Sequence, residues 1–166
     1  MKKEPITHVG YKKLMKNLRF LKEVEIPENI EDIKISASYG DLTENAEYEA
    51  AKERQEILLM KVDLLEKINS EITIIDPSKN NHSVVSFGST FEIENIETGE
   101  ESKYTIVGGY EANPSNGTIS YNSPLSRFFL GKEEDDEVIV NIGNQVSTYE
   151  IQAIYFNQDI ILKNIG

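Results

Sequence analysis

The 166-residue sequence predicts an α+β protein of two domains, an N-terminal antiparallel α-helical coiled-coil hairpin and a C-terminal antiparallel β-sheet domain with one short helix. Three observations support this fold class. Apolar residues recur at helical spacing over residues 7–72, they alternate with polar residues beyond residue 83, and a polar, proline-broken stretch separates the two patterns. We therefore expect domains at 1–76 and 83–166, joined by a linker over 77–82.

The first helix is expected to begin after Thr7, whose hydroxyl can accept a hydrogen bond from an amide of the first turn. Pro27 predicts a kink or a restart, because proline lacks the N–H that a continuing helix requires. Leu14, Leu18 and Leu21 recur at spacings of four and three, which predicts one buried face. Ile30 and Ile33 are expected to continue this stripe beyond the proline.

A second helix is expected over residues 44–72. Its apolar positions follow a coiled-coil seam with spacings of four, three, three and four: Leu58, Val62, Leu65, Ile68 and Ile72. Small residues near its start allow the two backbones to approach closely. Because only a short connection separates the two helices, they must run antiparallel.

Beyond the linker, alternating polarity predicts short strands at 90–96, 103–107, 118–121, 137–140 and 149–151. The pairs Thr98-Gly99, Asn116-Gly117 and Gly143-Asn144 are turn signals between them. One short helix is expected near residue 124, with Ser123 as N-cap, Pro124 in the first turn and Gly131 as C-cap.

Composition excludes several classes of function. Without cysteine the chain has no disulfide, no thiol nucleophile and no cysteine-ligated zinc. His8 and His82 have no spacing suited to a metal site, so we expect both to be ordinary surface residues. A formal charge of −12 argues against strong binding to free nucleic acid, which depends on lysine and arginine. No apolar run is long enough to span a membrane, and the basic start lacks the apolar segment of an export signal.

The connection between the two helices carries the most informative residues of the chain, a glycine followed by several acids. Asp41 and Glu44 have the spacing of a helix capping box, which predicts a purely structural role at the N-cap and N3 positions. The same spacing lets two carboxylates approach one ion, and carboxylate oxygens are ligands that Mg²⁺ prefers. Two carboxylates alone would hold Mg²⁺ weakly, so this hypothesis requires a partner that supplies other ligands.

This connection and the residues after it resemble the signature of the bacterial Gre transcript-cleavage factors, with GDLTENAEY over residues 40–48 and AAKE over 50–53. The resemblance extends over nearly the whole chain. Weaker matches follow in the family's order at residues 7–21, 87–90, 104–108, 119–120, 123–125 and 130–132.

The resemblance implies that the coiled coil enters the secondary channel of a backtracked RNA polymerase. Asp41 and Glu44 would then help to place a Mg²⁺ ion shared with the polymerase, whose own active site cuts the 3′ end of the nascent RNA. The chain would be a cleavage cofactor and not an enzyme. The C-terminal domain, FKBP-like by the same resemblance, would dock on the channel rim through three residues: Ser123, Pro124 and Leu125.

The resemblance also implies a cytoplasmic protein that reaches the nucleoid through RNA polymerase, and we expect a monomer because the hairpin buries its own seam. Ala37 departs from the family pattern, since relatives usually carry an arginine there, and Ser38 replaces an acid. Lys52 keeps the positive charge at the family's other basic position near the tip and is the candidate contact to RNA.

Three alternatives remain open at this point. The chain could be a secondary-channel regulator that inhibits the polymerase without cleavage, although such a protein would not need both acids. It could be a prolyl isomerase, although it lacks the tryptophan that commonly forms the floor of FKBP isomerase pockets. It could also be a coiled-coil adaptor in which the acids only cap a helix.

Overall fold

The computed structural model describes residues 3–40 and 45–163, and the chain forms two compact units. The first unit consists of Met1–Tyr11 and Ile72–Gly166, and the second consists of Lys12–Glu71. The start of the chain thus belongs to the same unit as the C-terminal sheet. The domain boundaries predicted at residues 76 and 83 lie inside this first unit.

Two short strands that the sequence analysis did not anticipate explain this division. Strand β1 (Glu4–Ile6) pairs in parallel with β2 (Ile72–Ile74), with Glu4 opposite Ile72 and Ile6 opposite Ile74. Ile72 is therefore a strand residue, and its assignment to the helical seam was wrong. The β-branched sequence Ile-Thr-Ile favours a strand once a partner strand is available.

The main sheet of the first unit has five strands in the order β5-β4-β3-β7-β6. All neighbours are antiparallel except β4 and β5, which are parallel. The strands are β3 (Ser89–Asn95), β4 (Glu101–Val107), β5 (Thr118–Ser120), β6 (Glu137–Ile142) and β7 (Gln145–Phe156).

The α+β fold class is confirmed, and the sheet is mostly antiparallel. The parallel pair arises because Asn116-Gly117 does not form a two-residue hairpin. A 3₁₀ turn at Pro114–Asn116 precedes Gly117, whose φ of 77° lies in the left-handed region that glycine tolerates. Gly143-Asn144 does form the expected two-residue connection between β6 and β7.

The core of the first unit lies between this sheet and the short helix α4 (Pro124–Phe129). Phe129 is fully buried, with its ring centroid 4.9 Å from that of Phe91 on β3. Ser123 caps the helix as predicted, but the C-cap is Leu130, and Gly131 follows it with a positive φ. A final helix, α5 (Gln158–Lys163), was not predicted.

His82 is not the ordinary surface residue that the sequence analysis expected, whereas His8 is exposed as predicted. The Nε2 atom of His82 lies 2.6 Å from the carbonyl oxygen of Pro77, so Nε2 carries the proton and donates it. Nδ1 lies 2.6 Å from the hydroxyl of Ser89, and the ring stacks on Phe156 at 5.1 Å. His82 thus fixes the segment before β3 to the sheet.

The second unit contains the helical hairpin. Helix α1 (His8–Phe20) passes through a π-helical segment (Leu21–Glu25) into α2 (Ile26–Ala37), and α3 (Ala46–Ser70) returns along it. The π-helical segment ends two residues before Pro27, which has no backbone N–H to donate and crowds the carbonyl one turn earlier. The irregularity predicted from Pro27 is therefore present as a widened turn and not as a break.

The hairpin core confirms part of the predicted apolar face. Its buried residues are Leu18, Leu21, Leu58 and Val62. In α2, however, Ile30 is exposed, and the buried residues are the polar Asn29 and Ser36. The prediction for Ile30 is therefore wrong, because Ile30 lies nine residues after Leu21 and so about 180° away around a regular helix, whereas Ile33 is half-buried.

A buried carboxylate anchors the start of the chain within the first unit. Glu111, in the connection between β4 and β5, accepts hydrogen bonds from the backbone N–H groups of Thr7 at 2.8 Å and Gly108 at 3.1 Å. The hydroxyl of Thr7 donates to the other carboxylate oxygen of Glu111. The same hydroxyl accepts from Gly10 N–H at 3.0 Å, which confirms Thr7 as the cap of α1.

Burial raises the pKa of the Glu111 carboxyl above its ordinary value of 4.5, and the charge of Glu4 acts in the same direction, against the hydrogen bonds from Thr7 and Gly108. The folded state therefore holds this proton more tightly than the unfolded chain. We predict that the stabilising contribution of Glu111 is greatest at acidic pH and falls as the pH rises from about 4.5 through the raised pKa.

The measurement compares the unfolding free energy of the wild type with that of Glu111→Gln, which cannot titrate, across this pH range. Subtracting the two curves removes the shared titration of the other carboxyl groups. A difference that stays constant, or that increases with pH, would contradict the raised pKa.

Candidate functional site at the hairpin tip

Asn45 organises the described part of the hairpin tip. Its side-chain oxygen accepts from Tyr48 N–H at 3.2 Å, so Asn45 is the N-cap of α3. Its side-chain nitrogen donates to the carbonyl oxygen of Ser36 at 2.5 Å. One amide therefore caps α3 and ties its first turn to the last turn of α2.

This geometry contradicts the capping box predicted for Asp41 and Glu44. Helix α3 begins at Ala46 and not at Glu44, and its N-cap position is already filled by Asn45. The sequence signal that could have identified the cap was present, because asparagine is among the best N-cap residues.

We predict that Asn45→Ala lowers the free energy of unfolding by about 1–2 kcal/mol, because α3 loses its cap. The control is Asn45→Asp, which keeps the acceptor for Tyr48 N–H but cannot donate to Ser36. Urea unfolding followed by helical circular dichroism should place Asn45→Asp between the wild type and Asn45→Ala. An alanine variant as stable as the wild type would show that Asn45 is not the effective cap.

The segment that carries the predicted acids is bounded by Gly40 and Asn45. Gly40 has a φ of 96°, a conformation that other residues rarely adopt, and Tyr39 before it is exposed. Asp41 and Glu44, the predicted metal ligands, lie outside the residues that the structure describes. In the sequence they lie between the end of α2 and the N-cap of α3, and the structure describes both of these flanking elements.

The buried side chain of Asn29 holds the two helices in register near this segment, whereas the buried hydroxyl of Ser36 bonds within α2. The side-chain amide of Asn29 donates to the carbonyl oxygen of Ala51 at 2.9 Å, and Asn29 is almost fully buried. The hydroxyl of Ser36 donates to the carbonyl oxygen of Asp32 at 2.8 Å. A buried asparagine in a helical seam favours one register, because any other register leaves its amide unpaired. Apolar periodicity does not reveal this role, because Asn29 is polar.

Basic residues near the tip differ in their surroundings. The guanidinium group of Arg54 on α3 lies 3.5 Å from the carboxylate of Asp32 and 4.0 Å from that of Glu25. Both acids belong to the other arm of the hairpin. These ion pairs are partly exposed, so each is expected to contribute less than about 1 kcal/mol. Lys52, the predicted contact to RNA, is exposed on α3, and Ala37 ends α2 half-buried.

The three predicted docking residues belong to the other compact unit. Ser123 is the N-cap of α4, and its hydroxyl accepts from Ser126 N–H at 3.2 Å. Pro124 is exposed, and Leu125 is half-buried against the core of the sheet. The capped short helix is thus confirmed, and Pro124 is the most accessible of the three.

Two further observations concern the described residues alone. Within residues 3–40 and 45–163 there is no group of three or more His, Asp or Glu side chains that could hold a metal ion. None of the helices in this part of the chain is long and apolar enough to cross a membrane.

Two family models match the chain. The model described as "Transcription elongation factor, N-terminal" covers residues 4–74, and the model described as "Transcription elongation factor, GreA/GreB, C-term" covers residues 78–156. Together they account for both compact units of the structure.

Curated relatives match over nearly their full length. "Transcription elongation factor GreA" of Nautilia profundicola is 46% identical over 156 residues, which are 94% of this chain and 96% of that protein. The protein of the same name from Wolinella succinogenes is 43% identical over 95% of this chain and 98% of its own. Among solved structures, that of the transcription factor Gfh1 covers 92% of this chain and 97% of its own, at 25% identity and a TM-score of 0.44.

Proposed function

Because the family models match residues 4–74 and 78–156, the chain belongs to the GreA/GreB family of transcription elongation factors, and we propose that it acts through its acidic hairpin tip in the secondary channel of RNA polymerase. It is a transcription elongation factor whose partner is RNA polymerase. It stimulates RNA cleavage by the polymerase and is not itself the enzyme.

The observation that carries the proposal is the cap of α3. Because Asn45 already satisfies the first turn of this helix, Asp41 and Glu44 are not required for capping. This removes the main support for the adaptor hypothesis, in which the acids had only a structural role. The buried amide of Asn29 and the link from Asn45 to Ser36 hold the helices on both sides of the acids in one register.

The chemistry of the two side chains fits a shared magnesium site. Carboxylate oxygens are the protein ligands that Mg²⁺ prefers, and two of them leave most coordination positions for other ligands. A Mg²⁺ ion held there would supply an activated water for attack on a phosphodiester, with Asp41 and Glu44 as its ligands from this chain. Asp41 and Glu44 would complete a set of Mg²⁺ ligands to which the polymerase and the RNA also contribute. Neither the chain alone nor the RNA alone would then suffice to bind the ion for cleavage.

We also propose two contacts outside the acidic pair. Pro124, exposed at the start of α4, would meet the rim of the channel together with Leu125, while Ser123 keeps their helix capped. Lys52 would face the nascent RNA, since its exposed ammonium group suits a phosphate. The substitution Pro124→Glu should weaken the complex with polymerase without affecting helix content.

The experiment uses backtracked elongation complexes whose RNA carries a label at its 3′ end. Adding the full chain should release short labelled fragments when Mg²⁺ is present. Chelation with EDTA should stop the release, and added Mg²⁺ should restore it. The chain incubated with free RNA should release nothing. If the chain slows elongation but no fragments appear, the inhibitory regulator becomes the better assignment.

A further inference from the structure

Strand β6 forms an open edge of the five-stranded sheet. It spans Glu137–Ile142, and among the described strands β7 is its one neighbour. Every second residue of an edge strand has a backbone N–H and C=O that no strand of the sheet pairs with. Proteins usually protect such an edge by keeping it short or by placing lysine or proline on it. Strand β6 has six residues and contains neither of these residue types.

The hydrogen bonds of the sheet show which residues of β6 face the open edge. Thr148 on β7 accepts a hydrogen bond from Ile96 N–H at 3.0 Å, so its backbone points toward β3. Ile139, the partner of Thr148 on β6, therefore directs its own N–H and C=O away from β7. Because successive residues of a strand alternate, Glu137 and Asn141 face the open edge as well. Each of the three offers one donor and one acceptor to an added strand.

Two large apolar side chains lie on the outer face of the sheet beside this edge. Val138 and Val140 are buried in the core, so Ile139 between them points to the opposite face, where it is 64% exposed. Val146 on β7 lies opposite Asn141, which makes it a diagonal neighbour of Ile139, and it is 59% exposed. Apolar surface thus adjoins unpaired backbone groups, and binding by strand addition uses both.

Four glutamates form a row across the same outer face. The register places them opposite one another on four neighbouring strands: Glu101 on β4, Glu94 on β3, Glu150 on β7 and Glu137 on β6. None of them forms an ion pair with a described residue, although Gln152 donates to Glu94 at 3.0 Å and to Glu150 at 3.3 Å. Lys103, on the same face, lies opposite Glu92 and not opposite a member of the row. Like charges directly opposite one another destabilise a sheet, and a cationic partner would remove this cost.

We propose that β6 binds an extended basic segment of a protein partner, which adds to the sheet as a sixth strand antiparallel to β6. Antiparallel pairing is the commoner and the more stable arrangement. Apolar residues of the segment cover Ile139 and Val146, and its lysines or arginines lie beside Glu137 and Glu150. Because Glu137 is the first residue of β6, the apolar residues come first in an antiparallel segment and the basic residues follow.

The charge of the surface selects this occupant over others. Residues 133–137, which lead into β6, are all acidic, and the whole chain has a formal charge of −12. A second copy of the chain would bring the same acids to the edge, and a nucleic acid would bring phosphates, so both are disfavoured. The surface is also separate from the proposed contact at Pro124 and Leu125, because α4 packs against the other face of the sheet. The inference therefore does not rest on the proposed function.

Fluorescence anisotropy with a labelled synthetic peptide tests the proposal on the full chain. The probe is Val-Thr-Val-Thr-Lys-Thr-Lys with both ends blocked. In the proposed pairing its valines lie opposite Asn141 and Ile139, and its first lysine lies opposite Glu137. The wild type should bind this probe saturably. A peptide with glutamate in place of lysine should bind at least about tenfold more weakly, and so should the reversed sequence.

Methylation of the peptide nitrogens separates strand addition from simple charge attraction. In the proposed pairing the N–H groups of the valines point to β6, and those of the threonines point away from the sheet. Methyl groups on the nitrogens of the two valines should therefore weaken binding by about tenfold or more. The same number of methyl groups on the threonines that follow the valines should have little effect.

Two substitutions of Ile139 test the site in the protein. Ile139→Pro removes an N–H that faces the open edge, so it breaks no hydrogen bond to β7. Ile139→Lys replaces the apolar contact with a charge that repels the probe. Each should weaken binding of the probe about tenfold. The matched control is Leu162→Lys, because Leu162 is 48% exposed on α5, which follows the end of β7 remote from its turn to β6.

Circular dichroism should show the same strand content in the wild type and the three variants. A wild type that does not bind the probe would overturn the proposal. Equal affinity for the two methylated peptides would also overturn it, because the backbone of β6 would then take no part in binding. Equal affinity for the probe and its reversed sequence, or equal affinity of the wild type and Ile139→Lys for the probe, would do the same.

Discussion

The double variant Asp41→Asn/Glu44→Gln is expected to lose cleavage stimulation by about 100-fold or more while its melting temperature stays within a few degrees of the wild type. Loss of activity follows because neutral amides are poor ligands for Mg²⁺, and even indirect partners of metal ligands change activity by about 10–100-fold. Stability should be preserved because the cap of α3 is Asn45, which the variant retains. Fragment release from backtracked complexes, measured alongside thermal unfolding, gives both results.

The matched control is Glu47→Gln/Glu49→Gln. These two acids lie in the first turn of α3, are exposed, and carry the same total charge as the pair at 41 and 44. Their loss removes a favourable interaction with the helix dipole of only a few tenths of a kcal/mol each. Cleavage should therefore remain near the wild-type rate. Equal loss of cleavage in both double variants would show that cleavage depends on the net charge of the tip and not on Asp41 and Glu44 as a specific pair of ligands.

The tip illustrates how far sequence reasoning reaches in this protein. The two helices, their antiparallel arrangement and the position of the acids followed from apolar spacing and a glycine. The cap did not, because Asp41 and Asn45 are both acceptable N-cap residues and the sequence alone does not show at which of them the helix begins. Asn45 adopts the extended conformation of a cap, and α3 begins with Ala46.

The seam between the helices shows a second limit. Ile30 is apolar but exposed, because it lies nine residues after Leu21 and so about 180° away from the face of Leu21 around the helix. The polar Asn29 occupied the buried face instead. A sequence rule that assigns apolar residues to the core cannot find such a position, because Asn29 is stable there only through its hydrogen bond to Ala51.

Contacts between distant parts of the sequence account for most of what was missed in the first unit. Strand β1 forms because β2 returns beside it, and the parallel pair of β4 and β5 depends on the long connection that contains Glu111. Neither local propensity nor alternation specifies such pairings. By contrast, the turn at Gly143-Asn144 between β6 and β7 was predicted correctly from a local signal, although both strands are longer than predicted.

Glu111→Ala is expected to produce a large loss of stability, about 3 kcal/mol. Glu111 is 4% exposed, and its carboxylate accepts hydrogen bonds from the backbone N–H groups of Thr7 and Gly108, which would remain buried without it. Leaving a buried donor without an acceptor costs about 1–3 kcal/mol each. The cost of burying the carboxylate itself offsets part of this loss. Urea unfolding monitored by tyrosine circular dichroism gives the change in free energy.

The control for this prediction is Glu100→Ala, an exposed acid in the turn before β4, which should change stability by less than about 0.5 kcal/mol. Hydrogen exchange separates a local role of Glu111 from a general one. In Glu111→Ala the amides of Thr7 and Gly108 should exchange faster under native conditions than those of β3, because the start of the chain loses its anchor before the sheet opens. Uniform acceleration across the sheet, or a stability equal to that of Glu100→Ala, would show that Glu111 does not hold the N-terminal segment in place.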